Sequence, residues 1–235
     1  MNSCYVAPRS ERVREMFTRI TPRYDLLNAV LSLHLDASWR RWAAARAVTG
    51  SEKAVLDVGT GTGKFLEAFL TRACFERAVG FDLCESMLAR ARQNTARAGV
   101  SWLAGDVSSG LPFRDGSFDL VTAAFTLRSL EDLGVFFTEC ARVLRTGGKA
   151  VFLELTRPAH PVLKMLYYPY LKFYLPLVGG LMSRSFTAYS FLANSILGFD
   201  EPAEIGARLG RSGFSRVDVA AHTGGIATLI LGTKA

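Results

Sequence analysis

Three glycines at alternate positions, Gly59, Gly61 and Gly63, follow an apolar run that contains Asp57. Glycine permits positive φ and lacks the Cβ that would keep a ligand away from the backbone. The apolar run predicts a strand, and the residues after Gly63 predict a helix whose first N–H groups have no partner within the helix. The chemistry expected of such a loop is the binding of a small charged nucleoside.

Three ligand-binding motifs compete for this loop. A dinucleotide fingerprint, G-x-G-x-x-G, would need glycine where Lys64 or Leu66 stands, and a P-loop would need glycine in place of Val58 and Ser or Thr in place of Phe65. The S-adenosylmethionine (SAM) loop, with an acid two residues before G-x-G-x-G, fits at every position. A glycine turn that only closes a βα unit is the alternative.

Two further acids end the next two apolar runs, Asp82 after 78–81 and Asp106 after 100–105. Open α/β sheets bind their ligands at the carboxyl ends of the strands. Asp82 can accept hydrogen bonds from both ribose hydroxyls of an adenosyl group, and Asp106 can meet the adenine amino group. Although each acid alone could cap a helix, three acids at three successive strand ends favour SAM.

Strands and helices alternate along most of the chain. The predicted strands are 54–59, 77–82, 100–106, 118–125, 148–156, 215–221 and 226–233, and the predicted helices between them are 63–72, 85–98, 132–145 and 201–212. Thr146-Gly147-Gly148 is expected to stop the third of these helices, and Gly224-Gly225 is expected to join the last two strands as an antiparallel hairpin. The pattern predicts a doubly wound α/β fold with a seven-stranded, mostly parallel, Rossmann-like sheet. Such a sheet is typical of class I SAM methyltransferases.

One helical segment precedes this alternation and a second interrupts it, so the 235 residues divide into three parts. Residues 1–50 predict an N-terminal helical cap, broken near Pro22 and Asp36. Residues 51–157 and 200–235 predict the SAM-binding domain. Residues 158–199 predict a helical insertion before the last helix and hairpin.

The insertion is dense in aromatic residues and leucine, but Lys164, Lys172 and Arg184 interrupt it, and Pro169 and Pro176 would kink it. It therefore lacks the roughly 18 uninterrupted apolar residues of a membrane span. One interpretation is a helical insertion that packs on the core. We favour the other, a lid or interfacial surface for a lipid-like substrate, which implies peripheral membrane association.

The composition, with 49% hydrophobic and 21% charged residues, is that of a globular protein, and the net charge is +7. Much of this charge comes from arginines near the N-terminus, which could be attracted to anionic lipids. Nucleic acid is disfavoured, because no basic stripe is interleaved with aromatics. The scattered histidines and the four cysteines, Cys4, Cys74, Cys84 and Cys140, show no metal-ligand spacing. Without a signal-peptide pattern, we expect a cytoplasmic protein, peripheral on the inner membrane face; a homodimer is left open.

The chain resembles the ubiquinone/menaquinone-biosynthesis C-methyltransferase family over nearly its whole length. The segments that carry the resemblance are YDLLN at 24–28, WRR at 39–41, ESML at 85–88, LPF at 111–113, RVLRTGG at 142–148, LELTRP at 153–158 and YSFLANSI at 189–196. Residues 125–129 read FTLRS where the family usually has F-G-[IL]-R-N, so Arg128 is retained while Thr126 and Ser129 depart. Ala124 stands where a serine near the cofactor is often found, and Thr146 replaces the usual proline.

The resemblance implies SAM-dependent C-methylation of a demethylated isoprenoid quinol, demethylmenaquinol above all. Arg128 would stabilise a developing phenolate or orient a water that takes its proton, with Asp25 as the general-base candidate and Tyr24 beside it. Asn28 and Tyr189 would contact the substrate. The expected cofactor-binding residues are Asp57, Gly59, Gly61, Thr62, Gly63, Asp82, Asp106, Val107 and Ala124.

Other interpretations stay open at this point. Arg128 could form a surface ion pair with Glu131 or Asp132 instead. The acceptor could be a ubiquinone-pathway benzoquinol, a sterol or a phospholipid amine. Arsenite is disfavoured, because the thiols are not obviously on one face. A SAM-binding subunit of a quinone-synthesis complex without catalysis is a further alternative.

Overall fold

The computed structural model describes residues 9–95, 99–183 and 186–235 of the chain. Seven strands form its sheet: β1 Ala54–Val58, β2 Arg77–Asp82, β3 Val100–Ala104, β4 Phe118–Ala124, β5 Leu144–Leu155, β6 Phe214–His222 and β7 Ala227–Lys234. The strand order is β3-β2-β1-β4-β5-β7-β6. Strands β1 to β5 pair in parallel, while β7 pairs antiparallel with both β5 and β6. The predicted fold class, including the terminal hairpin, is confirmed.

The helices of the sheet domain lie on both faces of the sheet. They are α4 Lys64–Leu70, α5 Glu85–Asn94, α6 Leu133–Val143 and α10 Pro202–Arg211. Successive residues of a strand point to opposite faces, so Val55 packs with α4 while Leu56 packs with α6 and α10. This burial on both faces explains the nearly continuous apolar runs of the sequence.

The N-terminal part folds as α1 Arg9–Ile20, a 3₁₀ turn Thr21–Arg23, α2 Tyr24–Leu31 and α3 Leu35–Ala47. The break at Pro22 is confirmed, since Pro22 lies in the 3₁₀ turn. The second break lies just before its predicted place, because His34 adopts a left-handed conformation and α3 begins at Leu35. Asp36 therefore belongs to α3, where its side chain is nearly buried.

The insertion consists of α7 Pro161–Pro169, a π-helical turn Tyr170–Tyr174, α8 Leu175–Ser183 and α9 Phe186–Leu197. The π turn begins directly after Pro169, whose ring cannot support a regular α-helical hydrogen-bond ladder. The buried faces of these helices form a third apolar cluster with α1 and α2, which contains Leu27, Leu171 and Ile196. The N-terminal helices and the insertion thus pack against each other beside the sheet.

Some expectations are corrected or lie outside this description. Helix α6 ends at Val143, and Thr146-Gly147-Gly148 belongs to β5, so those residues do not stop the helix. Cys4 and Arg184 lie outside the described residues. Cys74, Cys84 and Cys140 are free thiols.

Candidate active site

The carboxyl ends of β1 to β4 border a first cavity of about 300 Å³. Gly59 and Gly61 line it from the loop after β1, Asp82 lines it from the end of β2, and Ala124 from the end of β4. Helix α1 covers the cavity, with Ser10, Val13, Arg14 and Phe17 facing it. The cavity lies where an open α/β sheet binds its ligand.

The glycine loop needs glycine for two different reasons. Gly61 has φ +55°, and a Cβ there would have only Tyr24 Cε1 near it, at 4.0 Å, so the space beside it is open. Gly59 has φ +66°, and a Cβ there would lie 2.5 Å from the side chain of Thr126. Both positions favour a residue without a side chain.

Asp82 holds the loop against the end of β2. Its carboxylate accepts the N–H of Gly61 at 2.7 Å and the N–H of Cys84 at 2.8 Å. Burial raises the pKa of this carboxyl, and the two backbone hydrogen bonds oppose the rise. Each oxygen still has a lone pair for a further donor.

Asp106 lies at the first cavity beside the 3₁₀ turn Val107–Ser109. Its carboxylate accepts the N–H of Ser108 at 2.9 Å. Although burial alone would raise the pKa of this carboxyl, the hydrogen bonds from Ser108 hold it below its usual value. Asp106 is therefore an ionised acceptor next to Val107, which also lines the cavity.

Asp57 lies below the loop, and it does not line the first cavity. The Thr122 hydroxyl donates to its Oδ1 at 2.6 Å, and its Oδ2 has no hydrogen-bond partner within the described residues. Burial raises the pKa of this carboxyl to about 6. Thr62 and Gly63 are also absent from the lining of the cavity, and the Thr62 hydroxyl instead donates to Asp25.

A second cavity of about 130 Å³ lies beside the first, between the N-terminal helices, the end of β4 and the insertion. Its lining is mostly apolar and includes buried Leu171 and Leu175. Four residues line both cavities: Phe17, Tyr24, Phe125 and Ser129. The two cavities are thus separated by a shared wall of a few side chains.

Phe125 in this wall has an unusual backbone. Its φ is +60°, which a residue with a side chain rarely adopts, and its N–H donates to Leu153 O at 2.8 Å. The guanidinium of Arg40 lies over its ring, 5.1 Å from the ring centroid. Such strain is found most often at functional sites, and here it directs the Phe125 ring between the two cavities.

Arg128 lines the second cavity and forms a buried ion pair. Its Nε donates to Glu154 Oε1 at 2.7 Å, and its Nη1 donates to Ser195 Oγ at 3.0 Å. The side chains of Arg128 and Glu154 are 4% and 0% exposed. The structure therefore does not agree with the alternative of a surface ion pair with Glu131 or Asp132. Arg128 is buried, and it pairs with buried Glu154 of β5.

A second buried ion pair lines the same cavity, between Arg40 and Asp36 of α3. Burial alone would raise the pKa of the Asp36 carboxyl, but the charge and hydrogen bond of Arg40, with a hydrogen bond from Ser32, hold it below its usual value. Each cation of this apolar cavity thus has a carboxylate beside it.

Tyr24, Asn28 and Tyr189 also line the second cavity. Burial raises the pKa of the Tyr24 hydroxyl, and a hydrogen bond with Asn28 opposes the rise. Burial raises the pKa of the Tyr189 hydroxyl as well. Both tyrosines are therefore neutral at physiological pH and can donate hydrogen bonds.

Asp25 is not brought into either cavity. Its carboxylate lies in a separate open cleft with Thr62, Lys64 and Asn94. The prediction that Asp25 removes a proton from a substrate beside Arg128 does not agree with this position. Neighbours on a helix point in different directions, and Tyr24, not Asp25, faces the cavities.

Sequence reasoning missed three features of this site. Glu154 has no role in the sequence-based prediction, although a charged residue inside the apolar run 151–155 indicates a buried partner. Asp36 was interpreted only as a helix break. Phe17 had no signal beyond helical periodicity, because the cavity it covers is made by distant parts of the chain.

Comparison with protein families places this arrangement among known proteins. The ubiE/COQ5 methyltransferase family matches residues 6–234 of the chain. A demethylmenaquinone methyltransferase of Deinococcus radiodurans is 41% identical over 96% of this chain and 94% of its own length. The ubiquinone/menaquinone biosynthesis C-methyltransferase UbiE of Geobacter sp. strain M21 is 40% identical, over 97% and 99%.

Solved structures resemble the fold at lower identity. A SAM-dependent methyltransferase of Thermotoga maritima aligns with TM-score 0.68 and 19% identity over 94% of this chain and 99% of that one. Human N-acetylserotonin methyltransferase, in complex with SAM, aligns with TM-score 0.65 and 16% identity over 97% of this chain and 60% of that one. At these identities the likeness shows the fold alone.

Proposed function

The chain belongs to the ubiE/COQ5 methyltransferase family and is a SAM-dependent methyltransferase, and we propose that it methylates a ring carbon of a demethylated isoprenoid quinol. The reaction proposed is demethylmenaquinol to menaquinol, because relatives of this chain are demethylmenaquinone methyltransferases. The observation that carries the proposal is the second cavity, which is mostly apolar, holds Arg128 and shares a wall with the first.

The first cavity fits SAM. Open space lies beside Gly61, and the carboxylates of Asp82 and Asp106 border the cavity from two neighbouring strand ends. We assign the ribose hydroxyls to Asp82, the adenine to Asp106 with Val107, and the methionine side to Gly59 and Gly61. Ala124 borders the sulfonium region, and Asp57 orders the loop from below. When bound, SAM supplies an electrophilic methyl group on a sulfonium.

The protein contributes mainly the position of the acceptor, because transfer needs an in-line approach of the ring carbon. Tyr24 reaches both cavities and Asn28 is its hydrogen-bond partner. We assign these two side chains and Tyr189 to holding the quinol ring. Phe125, strained between the cavities, limits where the ring can lie.

Arg128 is assigned to the charge that develops when a ring hydroxyl loses its proton. A guanidinium stays protonated at any ordinary pH, so it cannot be the base. It can donate hydrogen bonds to a phenolate or hold a water that takes the proton. Glu154 fixes the Nε edge of the guanidinium, and Ser195 fixes Nη1.

The insertion is assigned to capping the acceptor and to contact with a membrane. Tyr167, Leu171 and Leu175 point inward, while the other side of the same helices exposes a set of large apolar residues. That set includes Met165, Leu166, Phe173, Leu177, Leu181 and Phe186. Exposed Lys164 and Lys172 lie among them. Among the described residues, no helix could cross a bilayer, so the proposed contact is peripheral, on the inner face of a membrane with anionic lipids.

Product mass tests the reaction. The full chain is incubated with SAM and a short-tailed demethylmenaquinol kept reduced, and a benzoquinol and a phospholipid amine are assayed in parallel. We expect a gain of one CH₂ on the naphthoquinol. Products on the amine alone, or SAM binding without turnover on any acceptor, would reject the proposal in favour of a lipid-amine enzyme or a non-catalytic subunit.

The cofactor assignment is tested by calorimetry on Asp82→Ala. This change removes the acceptor of Gly61 and the assigned ribose contact, so SAM binding should weaken by at least roughly a hundredfold. Asp218→Asn, which alters an exposed ion pair with Arg46 whose residues line neither cavity, is the matched control. Equal affinities of the two variants would remove Asp82 from the site.

Liposome sedimentation tests the membrane contact. The chain should sediment with anionic vesicles at low salt, and both added salt and Phe173→Glu should reduce the bound fraction. A second copy of the chain could cover the same apolar face. Dimerisation that Phe173→Glu disrupts, without vesicle binding by the unaltered chain, would contradict the membrane proposal and support a homodimer.

A further inference from the structure

Asp25 connects the start of α2 to two elements of the cofactor domain. Its Oδ1 accepts the Thr62 hydroxyl at 2.7 Å and lies 3.4 Å from Lys64 Nζ. Its Oδ2 accepts Asn94 Nδ2 at 3.2 Å, and the same amide donates to Thr62 O at 3.2 Å. One carboxylate thus joins α2, the loop before α4, and the end of α5.

Thr62 is the residue of the glycine loop through which this contact acts. Its neighbour Gly61 lines the first cavity and gives its N–H to Asp82. Its own hydroxyl, directed away from that cavity, is held by Asp25. Moving α2 would therefore disturb the loop at the peptide next to the proposed ligand.

Tyr24 is the corresponding residue on the other side of the contact. It precedes Asp25 in α2 and lines both cavities, and its Cε1 lies on the open side of Gly61, 4.0 Å from where a Cβ at that position would be. Asp25 thus holds Thr62 directly, while its neighbour Tyr24 lies beside Gly61. The position of the loop and the position of Tyr24 are mechanically tied.

Neutral polar contacts also join α1 and the 3₁₀ turn after it to the cofactor domain. Thr18 Oγ1 lies 3.1 Å from Cys84 Sγ, and Thr21 Oγ1 lies 3.0 Å from Ser86 Oγ. Hydrogen bonds to a charged group are roughly twice as strong as neutral ones. The Asp25 carboxylate makes a charge-assisted contact with the glycine loop itself, whereas the contacts of Thr18 and Thr21 reach the start of α5.

We infer that Asp25 is a positioning residue that fastens the covering segment 9–31 to the cofactor loop, so that occupation of the first cavity sets Tyr24 in the second. Both carboxylate oxygens are engaged in this fastening, and neither faces the acceptor. The inference relies on the proposed cofactor site but not on the identity of the methyl acceptor.

Calorimetry with SAM and hydrogen exchange of peptides within 9–31 test this role without any turnover. In the unaltered chain, SAM should slow exchange in this segment. Asp25→Asn and Thr62→Val should each weaken SAM binding about tenfold, the loss of one hydrogen bond to a charged group, and abolish the slowing. The double variant should lose no more than Asp25→Asn alone, because Thr62→Val removes one of the contacts that the loss of the carboxylate charge already weakens.

Two control variants make the result decisive. Thr62→Ser keeps the hydroxyl, so its SAM affinity and hydrogen exchange should match those of the unaltered chain. Comparison of Thr62→Ser with Thr62→Val also tests the contact if Asp25→Asn does not fold. Asp218→Asn should match the unaltered chain. Unchanged affinity and exchange in Thr62→Val, or losses that add in the double variant, would overturn the inference.

A kinetic comparison separates positioning from proton abstraction. Asp25→Asn should raise KM for SAM and leave the shape of the pH profile of kcat intact. A fall in kcat of roughly a hundredfold or more at unchanged SAM affinity, with loss of the acidic limb, would identify Asp25 as a base instead. Failure of the unaltered chain to methylate any quinol would reject the acceptor proposal and leave the binding readouts interpretable.

Discussion

Replacement of Glu154 by glutamine is expected to destabilise the protein although the substitution is nearly isosteric. Glu154 is 0% exposed and Arg128 is 4% exposed, so the change leaves a guanidinium without its counter-charge inside the protein. Removing one partner of a buried pair costs about 3–5 kcal/mol. We expect the lower end of this range, because the amide oxygen of the new side chain would still accept from Nε and because Ser195 and Phe125 O also accept from Arg128.

Equilibrium unfolding in urea measures this loss, and a double variant isolates its origin. A loss of about 3 kcal/mol corresponds to a fall in Tm of roughly 10 °C for a chain of this length. In Arg128→Met/Glu154→Gln no charge of this pair remains buried, so most of the stability should return. Methyl transfer should not return with it, since the group assigned to the phenolate is gone.

The same variant tests whether Glu154 positions Arg128. Glu154 does not line the second cavity, yet Glu154→Gln should lower kcat by roughly tenfold to a hundredfold, because the guanidinium loses its anchor. A stability within about 1 kcal/mol of the unaltered chain, together with normal kcat, would refute the reasoning. In that case the charge of Arg128 would be compensated elsewhere.

Two other changes follow from burial and packing. Burial raises the pKa of Asp57 in the folded protein to about 6, so ionisation of this carboxyl opposes folding. Relative to Asp57→Asn, the free energy of unfolding of the unaltered chain should fall by up to about 3 kcal/mol as the pH rises from about 4 to 6. Urea unfolding of the two proteins measures this difference, and an identical pH dependence of their stabilities would contradict it. A Cβ on Gly179 would lie 2.4 Å from the Tyr189 ring. Gly179→Ala should therefore lower the free energy of unfolding by about 1–3 kcal/mol. It should also raise KM for the quinol, while the Kd for SAM stays constant. Gly210→Ala, whose Cβ would have ordinary contacts, is the control, and equal KM values would refute the contact.

The fold could be predicted from the sequence because its signals are local. Apolar runs, glycine turns and the terminal Gly224-Gly225 pair each depend on a few neighbouring residues. The errors arose where a distant partner decides the structure. Residues 146–148 look like a helix stop, but β5 already begins at Leu144, where it pairs with Phe118 of β4.

The site was only partly predictable for the same reason. Acids at strand ends are informative, since the parallel sheet brings those ends together whatever the loops do. The direction of a side chain on a packed helix is not specified in this way. Asp25 and Tyr24 are adjacent in sequence, yet one faces the open cleft and the other the cavities. Glu154 and Arg128 are 26 residues apart, so their pairing needs the register of β4 and β5.

The two buried ion pairs would suit the second cavity, as the proposed acceptor site, to both an apolar substrate and a transient anion. Arg40 and Arg128 each have a carboxylate beside them, so an entering ring meets no uncompensated charge. Isolated guanidinium groups in such a cavity would be costly to bury, and replacing both pairs by apolar residues would leave nothing to stabilise a phenolate. In a site with little water, fixed donors act on a developing charge more strongly than they would in solution, and they need no reorganisation. We therefore interpret the pairs as groups that stabilise a charge that appears only during the reaction, rather than as a source of stability for the fold.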